Sequence, residues 1–215
     1  MSQGKKPGKP ISKKVASLNE QLRRRRGVRD LAERFLIVCE DDRSAVNYFE
    51  ALKKQFNLSA TSVQVVGSGG RTQPLQVVER AVQLKENSES NESGTEPFQH
   101  VWCVIDGDYG SKIKNARKKA EAHGVELAIS NKCFEYWVLL HFEENNTSTM
   151  DCDELVSSLK KKHLRDYEKG SCDFREIVKK AQNACQRAKK LRERREKPGE
   201  ICPKFRILVA KCTSS

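Results

Sequence analysis

Three short strings bring together side chains able to do chemistry. "FLIVCEDD" (35–42) ends in Glu40, Asp41 and Asp42, and "HVWCVIDGDYG" (100–110) ends in Asp106 and Asp108 around one glycine. The third, "SNKCFEYWVLLHF" (130–142), carries Asn131, Lys132 and Glu135. Carboxylates that converge repel one another unless a proton or a cation compensates. A hard divalent ion, Mg2+ or Mn2+, suits such oxygens and completes its shell with water and phosphate oxygens. Held there, it would polarise a phosphate and activate water. In extended chain Asp106 and Asp108 point to the same side, and Gly107 leaves space for a phosphate to approach. Taken alone, "DGD" is equally a turn at a strand end.

Whether these groups meet depends on the elements that carry them. "FLIVCE" (35–40) is short and continuously apolar, which predicts a strand buried on both faces. "SVQVVG" (62–67), "HVWCVID" (100–106) and "VELAIS" (125–130) predict three more strands. Between them, helices are predicted at 44–56, with Ser44 as N-cap, at 73–86 with Pro74 in the first turn, and at 111–124 closed by Gly124. A helix at 133–142 follows the fourth strand, and "NSESNESGTEP" reads as a polar loop. The alternation predicts an α/β fold with a mostly parallel sheet flanked by helices. Such sheets bind ligands outside the carboxyl ends of their strands, where all three acidic strings fall. Beyond 142 the pattern is helical only, with helices expected at 151–164 and 173–197. The terminal "ICPKFRILVAKC" fits a strand or a short helix equally well.

Charge divides the chain into three. Residues 1–30 carry 10 basic and 2 acidic side chains, 31–174 carry 18 and 23, and 175–197 carry 10 and 3. Together with the helical-only pattern beyond 142, this leads us to expect a basic, disordered arm (1–30), an α/β core (31–150) and a basic helical extension (151–215). Two basic segments around an acidic centre suggest a polyanionic partner, nucleic acid before an acidic protein. Their arginine and lysine runs, "RRRR" and "KKLRERREK", suit sequence-blind phosphate contacts. No run approaches the roughly 18 apolar residues of a membrane span, and the basic N-terminus has no apolar stretch after it, so no membrane or secretory signal is expected. The eight cysteines form no CxxC pair. This disfavours zinc and fits a reduced, cytoplasmic protein.

In this order, and on these strands, the strings resemble the RloB family, whose domain is Toprim-like. The resemblance is carried by "LIVCEDDRSAVNYFEALKK", "VQVVGSGGRTQPLQVVERAVQLKE", "VWCVIDGD" and "ISNKCFEYWVLLHF", over 35 to about 142. It implies a Toprim-type metal site, with Glu40 as general acid/base and metal ligand and Asp106 and Asp108 as the metal-binding pair. Glu135 would assist the metal or shape that edge. It further implies metal-dependent cleavage of RNA or DNA in antiphage defence, commonly beside an ABC-type ATPase partner. The sequence departs from the family pattern at 41–46. There Asp41 replaces a glycine and Ala45–Val46 replace Glu–Pro, so one carboxylate is missing and Asp41 or Asp42 is left to compensate.

That departure keeps a second reading open: a degenerate Toprim-like module that binds nucleic acid and docks on an ATPase without cutting. A receiver domain fits less well, because its third strand ends in a single aspartate and its fifth is followed by a lysine. The other candidates have plainer readings. "GSGG" (67–70) lacks nucleotide-loop spacing and reads as a flexible turn, with Arg71 beside it available to a phosphate backbone. Lys132 reads as a surface lysine, His141 as a core histidine, and Tyr109 as either a base-stacking or an exposed turn tyrosine.

Overall fold

The computed structural model describes residues 33–58, 62–90, 96–130, 132–144 and 150–194. The chain divides into two units, Met1–Ala32 and Glu33–Ser215. The first lies outside the described residues. So do Asn131, the end of the helix expected at 173–197, and the terminal strand or helix.

Four strands form the sheet: β1 (Phe35–Cys39), β2 (Val63–Gly67), β3 (His100–Ile105) and β4 (Glu126–Ile129). All pairings are parallel, in the order β2-β1-β3-β4. Among the described residues seven helices accompany them: α1 (Ser44–Gln55), α2 (Pro74–Glu89), α3 (Lys112–Ala122), α4 (Phe134–Leu140), α5 (Cys152–Lys162), α6 (Arg175–Val178) and α7 (Ala181–Arg194). This is an α/β architecture consistent with a Toprim-like fold.

The apolar strands are continuous because both faces of the sheet are covered. Phe35, Ile37 and Cys39 face one way, toward α1, α4, α5, α6 and α7. Leu36 and Val38 face the other way, toward α2 and α3. On the first side Tyr48 of α1 makes edge contacts with Phe134 (5.6 Å), His141 (5.4 Å) and Phe174 (5.8 Å), tying α1 to α4 and α6. Every residue of α4 is buried, Glu135 included; its other side chains are apolar or aromatic around the whole helix, as expected of a core helix. His141 is a satisfied core histidine. Its ring nitrogens lie 3.1 Å from the Tyr48 hydroxyl and 2.9 Å from the Trp137 carbonyl oxygen. Burial lowers its pKa to about 4.

The helices past residue 150 add Leu155, Leu159, Phe174, Ile177, Val178, Ala181, Ala184, Ala188 and Leu191 to the same apolar cluster. α5 starts with a capping box in which the amides of Asp151 and Glu154 each donate to the other's carboxylate at 2.9 Å.

Several boundaries differ from expectation. Ser44 is the first residue of α1 rather than its cap. The Asp41 carboxylate caps instead, accepting from the amides of Arg43 (2.9 Å), Ser44 (2.6 Å) and Ala45 (3.3 Å). α2 runs on to Glu89, so the polar loop begins later than "NSES" suggests. β3 stops at Ile105, leaving Asp106 outside it. A turn at Lys179 and Lys180 splits the long basic helix into α6 and α7.

The "GSGG" turn is held, not loose. Asp42 accepts from the amides of Gly69 and Gly70 (both 3.1 Å), whose φ values of 70° and 80° suit glycine. Gly67 must also stay glycine, because a Cβ there would lie 2.0 Å from Asp42 Oδ1. Arg71 is used within the turn, donating to the Ser68 carbonyl oxygen at 2.9 Å.

Candidate active site at the carboxyl edge of the sheet

The chain passes from β1 outward to β2, then returns to β3 and continues outward to β4 on the opposite side. The gap between β1 and β3 is thus the point where the winding direction reverses, the place at the carboxyl ends of the strands where open parallel sheets bind ligands. The register pairs Cys39 with Val104, so the residues just after both strands, Glu40 and Asp106, emerge at that point together.

They are joined directly. The Asp106 amide donates to Glu40 Oε2 at 3.0 Å. The Glu40 amide donates to the Val104 carbonyl oxygen at 2.9 Å, fixing its backbone. Tyr109 Oη stands between Glu40 Oε1 and the Thr72 carbonyl oxygen, the latter 2.7 Å away. A phenol has one proton, so it donates to Glu40 when that group is ionised. When Glu40 is protonated, Tyr109 can accept from it and donate to Thr72. Tyr109 is therefore a partner of the glutamate, not a free turn residue.

Asp106 is half-buried and receives the Ser130 hydroxyl at 3.1 Å. Burial, and then the charge of Glu40, push its pKa up to about 7, against the Ser130 hydrogen bond. Burial also raises the Glu40 pKa, opposed by Tyr109 and the Asp106 amide. The two carboxyls thus share an edge where negative charge is under-compensated.

Asp108 differs. Because the chain leaves the strand at Ile105 and turns, Asp108 is exposed and hydrogen-bonds to none of the described residues. The extended chain expected over Asp106–Asp108 is corrected by this turn, while the charge of Asp108 still acts on Glu40. Gly107 also has another reason to be glycine. A Cβ on it would lie 2.1 Å from the Ser130 carbonyl oxygen. Its amide donates to the Lys132 carbonyl oxygen at 2.9 Å. The glycine lets the β3 and β4 ends meet; it is filled by protein backbone rather than left open for a phosphate.

Glu135 sits behind this edge, at the start of α4, with no exposure. Tyr167 donates to its Oε1 at 3.1 Å, and Lys169 Nζ lies 3.8 Å from Oε2. Its charge contributes to the raised Asp106 pKa, yet it hydrogen-bonds to neither Asp106 nor Glu40. Asp41 and Asp42, the possible substitutes for the missing family carboxylate, are engaged with backbone amides instead.

Does a hard cation suit these residues? Glu40, Asp106 and Asp108 offer only oxygen donors, and Asp106 carries charge that a cation would relieve. Among the described residues no three His, Cys, Asp or Glu side chains stand ready as a metal cage. An ion that keeps several waters and takes one or two carboxylates does not require such a cage, so the donor set fits Mg2+ or Mn2+.

Cations border the site. Lys112, Lys114, Arg117 and Lys118 are exposed on α3, which begins two residues after Gly110, and Lys132 is exposed beside Gly107. Sequence reasoning missed Ser130, Tyr167 and Lys169. Ser130 is visible only as the residue before "NKCFE". Lys169 lies in "DYEKGS", a polar string with no periodicity to single it out.

A parallel α/β sheet with acidic residues at its β1–β3 reversal is consistent with a Toprim-like domain. The chain belongs to the RloB-like family: residues 35–213 match the model described as RloB-like protein. The match extends past α4 through α5, α6 and α7. Comparison with curated proteins gave no match, and comparison with solved structures gave none. No helix of the described residues is long and apolar enough to cross a membrane.

Proposed function

We propose that the protein is a metal-dependent nuclease that cleaves phosphodiester bonds of RNA or DNA in antiphage defence, working with an ABC-type ATPase partner. The observation that carries this reading is the Glu40–Asp106 pair, joined by the Asp106 amide to the Glu40 carboxyl and both with raised pKa values, at the β1–β3 reversal of a parallel sheet. Glu40, Asp106 and Asp108 would hold Mg2+ or Mn2+. When bound, the ion supplies charge stabilisation at the phosphate and lowers the pKa of a coordinated water.

The chain's own groups do the rest. Glu40, held by Tyr109 and the Asp106 amide, is oriented to take or return a proton at Oε1. Ser130 fixes the Asp106 carboxylate. The exposed cations of α3 supply a track for the nucleic-acid backbone. Asp106→Asn should abolish Mg2+-dependent cleavage of a mixed-sequence RNA or DNA while leaving folding and most nucleic-acid binding in place. Cleavage at the wild-type rate would sink the proposal.

A second reading, a non-cleaving module that binds nucleic acid and docks on an ATPase, is favoured by one observation. Asp41 and Asp42 are both engaged with backbone amides and do not supply the missing carboxylate. Calorimetric titration with Mg2+ and Mn2+ separates the two. Metal binding lost in Asp106→Asn supports the nuclease; no binding and no divalent-dependent cleavage supports the module.

A further inference from the structure

The connection from α5 to α6 is an irregular segment, yet residues 167–170 are pinned from several sides. Tyr167 is 1% exposed and its hydroxyl donates to Glu135. The Gly170 amide donates to Ser44 Oγ at 2.9 Å, and Asn47 Nδ2 donates to the Gly170 carbonyl oxygen at 3.2 Å. Gly170 has φ 87°, and a Cβ there would lie 2.9 Å from Arg43 Cδ. Lys169 therefore stands between two anchors, one on α4 and one at the start of α1, the helix that follows Glu40.

The side chain of Lys169 is not absorbed by the fold. It is 55% exposed, and its Nζ lies 3.8 Å from Glu135 Oε2, beyond hydrogen-bond reach. Glu135 Oε2 is fully buried and has no hydrogen-bond donor among the described residues. A buried carboxylate oxygen left in this state is costly, and a loose pair with a half-exposed lysine returns little folding stability. The arrangement makes sense if the pair serves to aim the ammonium group. Both anchors lie where helices leave the carboxyl edge of the sheet: Ser44 opens α1 just after Glu40, and Glu135 lies in the first turn of α4 after β4, so the lysine is held on the same edge as the acidic residues.

We propose that Lys169 contacts a non-bridging oxygen of the bound phosphodiester beside Asp106, and that buried Glu135 is its positioning residue. This rests on the nuclease reading for its substrate class, an extended phosphodiester, but the contact itself requires only a phosphate anion. An ammonium group fixed before the substrate arrives stabilises charge on the phosphate without reorganising.

Two measurements test it. The first is amine acylation read by mass spectrometry, with thymidine 3′,5′-bisphosphate and Ca2+ as the probe. Lys169 should be protected by at least about 5-fold, with Lys54 at the far end of α1 unchanged. Equal labelling with and without the bisphosphate overturns the proposal. The second is cleavage of a mixed-sequence oligonucleotide with Mg2+. Lys169→Met should lower kcat by about 100-fold with little change in KM or melting temperature, and Lys169→Arg should recover part of that loss. If wild type cleaves and Lys169→Met matches it, the proposal falls and the nuclease reading stands. If wild type does not cleave but the bisphosphate protects Lys169, the nuclease reading falls and the phosphate contact stands.

Discussion

The backbone amide of Asp106 donates to Glu40 Oε2 at 3.0 Å, so the first residue past β3 holds the carboxyl of the first residue past β1. One hydrogen bond couples the two strand ends and brings two acidic side chains into a partly desolvated edge. This leads to a pH dependence. Asp106 ordinarily titrates at 3.8 and is raised to about 7 in the folded protein. Between those values the folded state keeps a proton that the unfolded chain has released. Its contribution to stability is therefore fully present below pH 3.8 and is lost as pH rises through about 7. Asp106→Asn imitates the protonated form at every pH. In metal-free buffer it should be more stable than wild type at pH 8, on the order of 2 kcal/mol, with the difference vanishing near pH 4. Urea unfolding at both pH values checks this. A variant less stable than wild type at both would show that the Asp106 charge is already compensated.

Tyr109 tests the other oxygen of Glu40. Its hydroxyl lowers the Glu40 pKa against the effect of burial. Tyr109→Phe should therefore raise that pKa further, shifting the acidic limb of a pH–rate profile to higher pH. It should also destabilise the fold by about 1 kcal/mol, since the single hydroxyl proton shared between Glu40 Oε1 and the Thr72 carbonyl oxygen is lost. An unshifted limb would mean that Glu40 does not govern the rate.

How far the sequence announces all this depends on the range of each interaction. "FLIVC" and "HVWCVI" are legible as strands because burial on both faces demands uninterrupted apolar residues. Glu40 and Asp106 are legible as candidates because they end those runs. Gly107 is legible as a glycine but not by its cause, since the atom it avoids, the Ser130 carbonyl oxygen, belongs to the end of another strand. The cap of α1 is hidden for a local reason: the chain turns between Asp41 and Ser44, so the carboxylate three residues upstream reaches the free amides. Lys169 depends on anchors from α1 and α4 more than 30 residues away in sequence, and no periodicity encodes that.

Asp41 separates a structural carboxylate from a chemical one. It accepts three backbone hydrogen bonds at the start of α1, which leave little of the carboxylate for a metal. Asp41→Asn retains one side-chain acceptor and should cost a few tenths of a kcal/mol, whereas Asp41→Ala should cost about 1 kcal/mol. Both should bind Mg2+ as wild type does in calorimetry. Loss of metal binding in Asp41→Asn, with the fold intact by circular dichroism, would move Asp41 into the metal site and restore the carboxylate that the family pattern expects.

The cations of α3 make the last prediction quantitative. Lys112, Lys114, Arg117 and Lys118 are exposed, and none forms an ion pair among the described residues. Elsewhere cations do pair, as Lys162 does with Glu143 and Arg175 with Asp173. A helix that begins just past the acidic edge and keeps its positive charges free is placed to follow a phosphate backbone outward from the site. Each phosphate contact releases counterions, so affinity falls with salt in proportion to the number of contacts. Replacing all four by alanine should weaken nucleic-acid binding and reduce the slope of log affinity against log salt by about 2 to 3.5. Exposed alanines are good helix formers, so the melting temperature should hold or rise slightly. An unchanged slope in fluorescence anisotropy across a salt series would remove α3 from the interface and leave the basic segments at 1–30 and 175–197 to supply it.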